Sequence, residues 1–267
     1  MVPTNASLMP PPLVFAAFGA SEPPEQLAGG RGLTWRSGQI VVRPTADTEE
    51  ASWKSDVLAE IDGAEGFAVP RPIPDYRGNW VHDGWQAIEW IPGAADETRV
   101  RDVVRAGQAF HRAIAGLPCP AFIASSDDPW SNADRIAWGE MPVPDDRLLQ
   151  RLVAHYLPVD SLSHVIHGDL LGNVLFAEGR PPAVIDWAPY WRPSGLGAAI
   201  AVVDAACWHG YPLDALSDTH GISHWRQLLL RALVFRMVTL HLLGRWDDQQ
   251  TDRHTPVAAA IIALMEK

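Results

Sequence analysis

Cysteine is scarce: Cys119 and Cys207 stand alone among 267 residues. That excludes a disulfide framework and a thiolate zinc site, and it suits a reducing, cytoplasmic compartment. Long apolar runs are missing too, and none reaches the roughly eighteen residues that a membrane helix needs. The short apolar stretch Leu13–Phe18 follows Pro10-Pro11-Pro12 and lacks a basic flank, so it is not read as a leader peptide. Positive charge is in deficit, with 21 Lys and Arg against 32 Asp and Glu, a net charge of −11. Such a surface repels phosphate backbones and anionic lipid, which argues against nucleic acid and membrane as partners; a cationic small molecule would be welcome, although overall charge alone does not establish one. None of the ten histidines is assigned to a metal site, and no repeat or low-complexity tract is present. Tryptophan, by contrast, is plentiful at twelve residues, assigned here to core and lobe-interface packing with one or two left to line a pocket.

With 47% hydrophobic residues, the chain can build one large domain or two modest lobes. Residues 11–19 read as a short helix closed by Gly19. Gly29-Gly30-Arg31-Gly32 then precedes Leu33-Thr34-Trp35-Arg36, a turn at Ser37-Gly38, and the strand-like Gln39–Arg43: a glycine-rich hairpin. Asp47, three residues before Glu50, marks a helix start. That helix is predicted to run to about Ile61, burying Trp53, Val57 and Ile61, with Glu50 leaning toward the same inward edge. Strand-like runs follow at Trp80–His82 and Trp85–Ile91, ending at Pro92-Gly93. From Thr98 helical patterns dominate: one long helix to Leu117, then 129–138, 145–157, 195–209, 221–243 and 255–266. Three short apolar runs, at 164–166, 174–176 and 183–185, interrupt them. The expected fold is α+β, with a small sheet-plus-helix lobe over 1–92 and a larger, mainly helical lobe over 93–267.

The most informative segment is Val165-Ile166-His167-Gly168-Asp169-Leu170-Leu171-Gly172-Asn173-Val174-Leu175-Phe176. It sets an aspartate and an asparagine on a tight loop between two apolar strands, and Ala183-Val184-Ile185-Asp186-Trp187 then ends another strand in a carboxylate. Phosphoryl transfer needs these parts: a carboxylate to orient the attacking hydroxyl, and oxygen ligands to hold Mg²⁺ against the phosphates. Asp169 suits the first role, Asn173 and Asp186 the second. Any one of them alone is better read as a turn cap; the ordered set is not. His167 is read as a core histidine that braces the loop.

The His167-Gly168-Asp169-Leu170…Asn173 and Val184-Ile185-Asp186-Trp187 segments resemble the catalytic and metal motifs of the aminoglycoside phosphotransferase and choline/fructosamine kinase superfamily. Ala17-Phe18-Gly19, Gly29–Trp35, Gly172–Phe176 and Pro189-Tyr190-Trp191-Arg192-Pro193 extend the likeness to a group of uncharacterised actinobacterial phosphotransferase-like proteins. The resemblance implies a bilobal, protein kinase-like fold with ATP (or GTP) and Mg²⁺ between the lobes. It implies that Gly29, Gly30 and Gly32 cover the phosphates through backbone N–H groups, although a plain hairpin turn explains that cluster equally well. Glu89, Trp90 and Ile91 would form the hinge beside adenine, or else an edge strand. Asp204 matches an acidic position that supports the catalytic loop.

Two features depart from the pattern. Arg43 stands where the superfamily carries a phosphate-contacting lysine, with pairing to Glu50 expected and a surface strand-end role as the alternative. Asp169 and Asn173 are four residues apart, where five is usual. The reading is therefore a small-molecule kinase acting on a hydroxyl of an unidentified metabolite or antibiotic, cationic or not; its rival is a pseudokinase-like regulatory module that binds nucleotide without transfer. Tyr190, Trp191 and Arg192 are placed either at the acceptor site or in packing, and Asp127, Asp128, Asp145 and Asp146 either in a cationic acceptor pocket or as helix caps.

Overall fold

The computed structural model describes residues 9–28 and 32–266. They group into two units, one ending at Gly93 and the other beginning at Ala94.

In the first unit α1 (Pro12–Ala17) precedes β1 (Glu25–Gln26), β2 (Trp35–Ser37), β3 (Ile40–Pro44), α2 (Thr48–Glu60), β4 (Pro72–Ile73), β5 (Val81–His82) and β6 (Trp85–Glu89). The strands form one antiparallel sheet in the order β1-β2-β3-β6-β4, with β5 also on β6. The turn at Ser37-Gly38 sets Ser37 opposite Ile40 and Trp35 opposite Val42. Val42 and Ala87 then bury against Val14, Phe15, Phe18 and Trp85. β1 and β4 are two residues each, too short for an alternating pattern to announce them. Asp47 caps α2, accepting the Glu50 N–H at 3.0 Å. The buried face of that helix differs from expectation. Ala51, Ser55, Val57 and Leu58 are covered, while Trp53 and Ile61 stay half-buried. A pattern weighted by hydrophobicity overlooks Ala51 and Ser55, whose small side chains let a helix lie close to its neighbours.

The second unit opens with β7 (Ala94–Ala95), α3 (Val100–Ala113), α4 (Ala121–Ser125), α5 (Pro129–Ala137) and α6 (Arg147–Val153). β8 (Ser163–His167), β9 (Val174–Phe176), β10 (Ala183–Val184) and β11 (Pro189–Pro193) follow, then α7 (Gly195–Trp208), α8 (Trp225–Leu242) and α9 (Asp248–Met265). β10-β9-β7 make one small antiparallel sheet and β11-β8 a two-stranded ribbon. β11 was not foreseen, because prolines at both ends argue against a strand. A two-stranded ribbon tolerates them, since each strand keeps one edge unpaired. α8 is apolar nearly all round and therefore sits inside, packed by α5, α6, α7 and α9. Asp128, Asp146 and Asp247 cap α5, α6 and α9 with their carboxylates. α9 starts at Asp248 rather than near 255, carrying Pro256 inside the helix. Among the described residues no helix is long and apolar enough to cross a membrane.

Candidate active site

The loop after β8 is pinned from both sides. His167 is fully buried, and its Nδ1 accepts the Asp169 N–H at 3.1 Å. That fixes the tautomer, so its Nε2–H donates to the Ile185 carbonyl at 3.0 Å. Its own N–H donates to His111 Nε2 on α3 at 2.8 Å. His111 therefore stays neutral, its pKa held down to about 3 by burial first and by neighbouring His167 second. Beneath the loop α7 approaches so closely that a Cβ on Gly197 would meet the His167 carbonyl oxygen at 2.5 Å. Leu170, with no exposed surface, anchors the next turn. These contacts leave the Asp169 side chain 46% exposed on a rigid base.

Asn173 and Asp186 are neighbours through the β9–β10 hairpin. Val174 pairs with Val184, and one step further the Ile185 N–H donates to the Asn173 carbonyl at 2.9 Å. The next residue, Asp186, is exposed and has a φ of +50°, a left-handed conformation that is costly for a residue with a side chain. Asn173 Nδ2 donates to the Asp169 carbonyl at 2.7 Å and to Asp169 Oδ2 at 3.2 Å. Gly172, at a φ of +84°, makes the turn that closes this shortened loop. The hairpin pairing thus sets Asn173, an amide, opposite Ile185 and one residue from Asp186, a carboxylate. This donor set fits Mg²⁺, which takes few protein oxygens and fills its other positions with water and phosphate. Among the described residues no group of three His, Cys, Asp or Glu forms a fuller metal cage.

The residue that sequence reasoning missed is Arg236, on the buried helix α8. Its Nη2–H groups donate to Asp169 Oδ1 at 2.6 Å and Asp204 Oδ2 at 2.5 Å, and its Nε–H donates to Asp204 Oδ1 at 2.7 Å. Burial would lower its pKa, but Asp204 and then Asp169 outweigh burial and hold it well above the usual arginine value. Burial raises the pKa of Asp204, against the pull of Arg236. No motif in the sequence marks Arg236; only its charge, inside an otherwise apolar helical pattern, stands out. A cavity of about 290 Å³ opens at this cluster, lined by Asp169, Leu171, Asp204, Trp208, Arg236 and Leu240 among others.

The remaining expected site residues fall in the first unit. Gly29 and Gly30 lie outside the described residues. Gly32 has a φ of +72°, and its carbonyl accepts from Gln26 Nε2 at 2.6 Å. Arg43 sits in β3 opposite Gln86. The expected Arg43–Glu50 pair is corrected: Glu50 takes Lys54, one turn on in α2, at 2.7 Å. Lysine at i+4 reaches a glutamate on its own helix with little ordering cost, so the local pair forms. Glu89 and Trp90 are no free edge, because their N–H groups donate to Arg71 and Gln39 carbonyls at 2.8 Å each. Sheet formation spends those donors; among the described residues the Ile91 N–H donates to neither strand.

Arg192 packs against α5 rather than the cavity, pairing with Asp134 and Glu140 at 2.7 Å each. Tyr190 lies edge-on to Phe235. Both residues bind the β8–β11 ribbon to the helical core.

No protein-family model matches this chain, and no curated protein sequence matches it. Solved structures do. An aminoglycoside phosphotransferase from Alicyclobacillus acidocaldarius aligns over 98% of both chains at a TM-score of 0.62 and 15% identity. Spectinomycin phosphotransferase, in complex with ADP and spectinomycin, aligns over 95% of this chain and 96% of its own at a TM-score of 0.57 and 15% identity. The GDP complex of aminoglycoside 2′-phosphotransferase-IIIa aligns over 91% and 93% at 0.57 and 14%. The fold is that of the aminoglycoside phosphotransferases. Its mixed architecture, an antiparallel sheet unit followed by a helical unit, is the one expected from the motif resemblance.

Proposed function

We propose that this chain is a kinase of small molecules, which transfers the γ-phosphoryl group of ATP or GTP to an acceptor hydroxyl. The observation that carries the proposal is the half-exposed Asp169 carboxylate at the mouth of a cavity, hydrogen-bonded to Asn173, whose hairpin also presents Asp186. The shared fold supports it by analogy: phosphotransferases of this fold have been crystallised with ADP or GDP, and some with spectinomycin or hygromycin B.

Asp169 accepts a hydrogen bond from the acceptor hydroxyl and aims its oxygen for in-line attack on the γ-phosphorus. It takes the hydroxyl proton as the new P–O bond forms and the bond to the leaving diphosphate breaks. Arg236 holds Oδ1 and Asn173 Nδ2 donates to Oδ2, so the acceptor hydroxyl uses a further lone pair of this fixed carboxylate. Asn173 and Asp186 would hold Mg²⁺, which when bound neutralises charge on the phosphates. Arg43 stands as the phosphate-gripping cation, Gly29, Gly30 and Gly32 as the phosphate-covering turn, and Ile91 as the remaining adenine-facing donor of the hinge.

Calorimetric titration with ATP and with GTP, with and without Mg²⁺, tests this reading beside an Asp186→Ala control. Mg²⁺-dependent binding that the variant loses is the expected result. Arg43 and the four-residue spacing favour the rival regulatory module. Nucleotide binding with no turnover on any hydroxylated acceptor would put that module first, and no binding at all would remove the kinase reading.

A further inference from the structure

We infer that Arg231, with its neighbours Trp138 and Tyr156, forms a binding site for a small monatomic anion, chloride in the first instance. The site is independent of the kinase reading, and all of its residues belong to the second unit.

Helix α8 carries two largely buried arginines five residues apart, and they differ in what they face. Arg236 meets the carboxylates of Asp169 and Asp204. Arg231 is 7% exposed, and among the described residues its hydrogen bonds go to carbonyls alone. Its Nη1–H donates to the Ala137 carbonyl at 2.9 Å and its Nη2–H to that of Leu157 at 3.3 Å. Burial pulls the pKa of Arg231 down; Tyr156 opposes that fall and Arg192 adds to it. In Arg236 the two carboxylates outweigh burial. A buried charge without a counter-ion is costly, so the lack of one is the feature to explain. Asp134 and Glu140 are taken by Arg192, which lies over the same Trp138 ring.

The same place has a surplus of donors. The guanidinium lies against two rings, 4.6 Å from the Trp138 centroid and 4.2 Å from that of Tyr156. Arg231 Nε, Trp138 Nε1 and the Tyr156 hydroxyl are all enclosed, and none has a hydrogen-bond partner among the described residues. Burial raises the Tyr156 pKa against the pull of Arg231, so the hydroxyl keeps its proton and can donate. Buried polar groups are nearly always paired, and three unpaired donors beside one cation call for an anion. A water molecule would accept two of these bonds but bring two protons of its own; an anion brings none.

The kind of anion follows from the arginine. A carboxylate or phosphate is gripped by a fork of two nitrogens. Here Nη1 and Nη2 each have a carbonyl already, which leaves Nε–H as a single point. Single donors from three side chains suit a spherical ion of halide size. Trp138 ends α5 and Tyr156 follows α6, two helices that pack on α8, so the ion would tie all three together.

Crystals of the full chain soaked in sodium bromide test the site directly. The expected result is an anomalous bromide peak within hydrogen-bond distance of Arg231 Nε. A water in that place, or no density there, overturns the inference. In solution, thermal unfolding in sodium chloride is compared with sodium gluconate at equal ionic strength. Chloride should raise Tm along a saturating curve; a difference that never saturates is a general salt effect and counts against the site. Tyr156→Phe removes one donor and no charge, and should weaken the apparent chloride affinity about tenfold; unchanged affinity counts against the site. Arg231→Met should abolish the chloride dependence, and a folded variant that keeps it overturns the inference. If that variant does not fold, Tyr156→Phe and the bromide crystals decide.

Discussion

Asn173 and Arg236 both donate hydrogen bonds to Asp169, one from four residues along the chain and the other from 67. The near contact is neutral, lies on a turn, and follows from the geometry of a hairpin. The distant one is charged, enters from a buried helix, and ties Asp169 to Asp204. A local motif can therefore announce the candidate groups, while their electrostatic setting comes from a part of the chain that carries no motif.

Four changes would break or sharpen this contrast. Asp169→Asn removes the group common to both contacts. It should lower turnover by about 10²–10⁴-fold while leaving nucleotide affinity unchanged, as read by a coupled assay beside calorimetry. Arg236→Met removes only the distant contact and strands Asp204 without its counter-ion. It should cost about 3–5 kcal/mol in urea denaturation, and adding Asp204→Leu should recover a large part of that loss. A full-size loss that the second substitution leaves untouched would show that Arg236 acts by packing and not by charge.

Gly197→Ala tests how tightly α7 supports the loop. The added methyl meets a backbone oxygen rather than a flexible side chain. The expected cost is about 1–3 kcal/mol, with lowered turnover and intact secondary structure by circular dichroism. His111→Gln is the mildest change. The unfolded imidazole titrates near 6.5 and the folded one near 3, so the unfolded chain binds a proton that the folded chain refuses. Stability from this group is complete above about pH 6.5 and is lost as pH falls toward 3, by up to about 1.4 kcal/mol per unit. Glutamine can still accept from the His167 N–H but does not titrate, so the acid limb of a stability–pH profile should flatten.

Reading from residues alone went furthest where short-range rules apply. The hairpin at Ser37-Gly38, the Asp47 cap, α3, α7, α8 and the β9–β10 hairpin all follow from turn chemistry, capping or periodicity. The same rules passed over β1, β4 and β7, two residues each, because a pattern of that length has no period to detect. They also misjudged the buried face of α2, where Ala51 and Ser55 carry the packing although hydrophobicity points to Trp53. At the candidate site, the contact between Asp169 and Asn173 was legible, because one short loop spans it. The cation that Glu50 takes was not legible, since choosing between Arg43 and Lys54 requires knowing which side chains reach it.

The amino-acid sequence by itself determined the fold class, because the turn, cap and periodicity signals behind it depend on neighbours within a few residues. Only the tertiary structure decided that Asp169 lies beside a buried arginine and that Asp128 and Asp146 cap helices. Net charge is a sum over every residue, whereas a site responds to the few charges within several ångströms, and folding alone selects which charges those are.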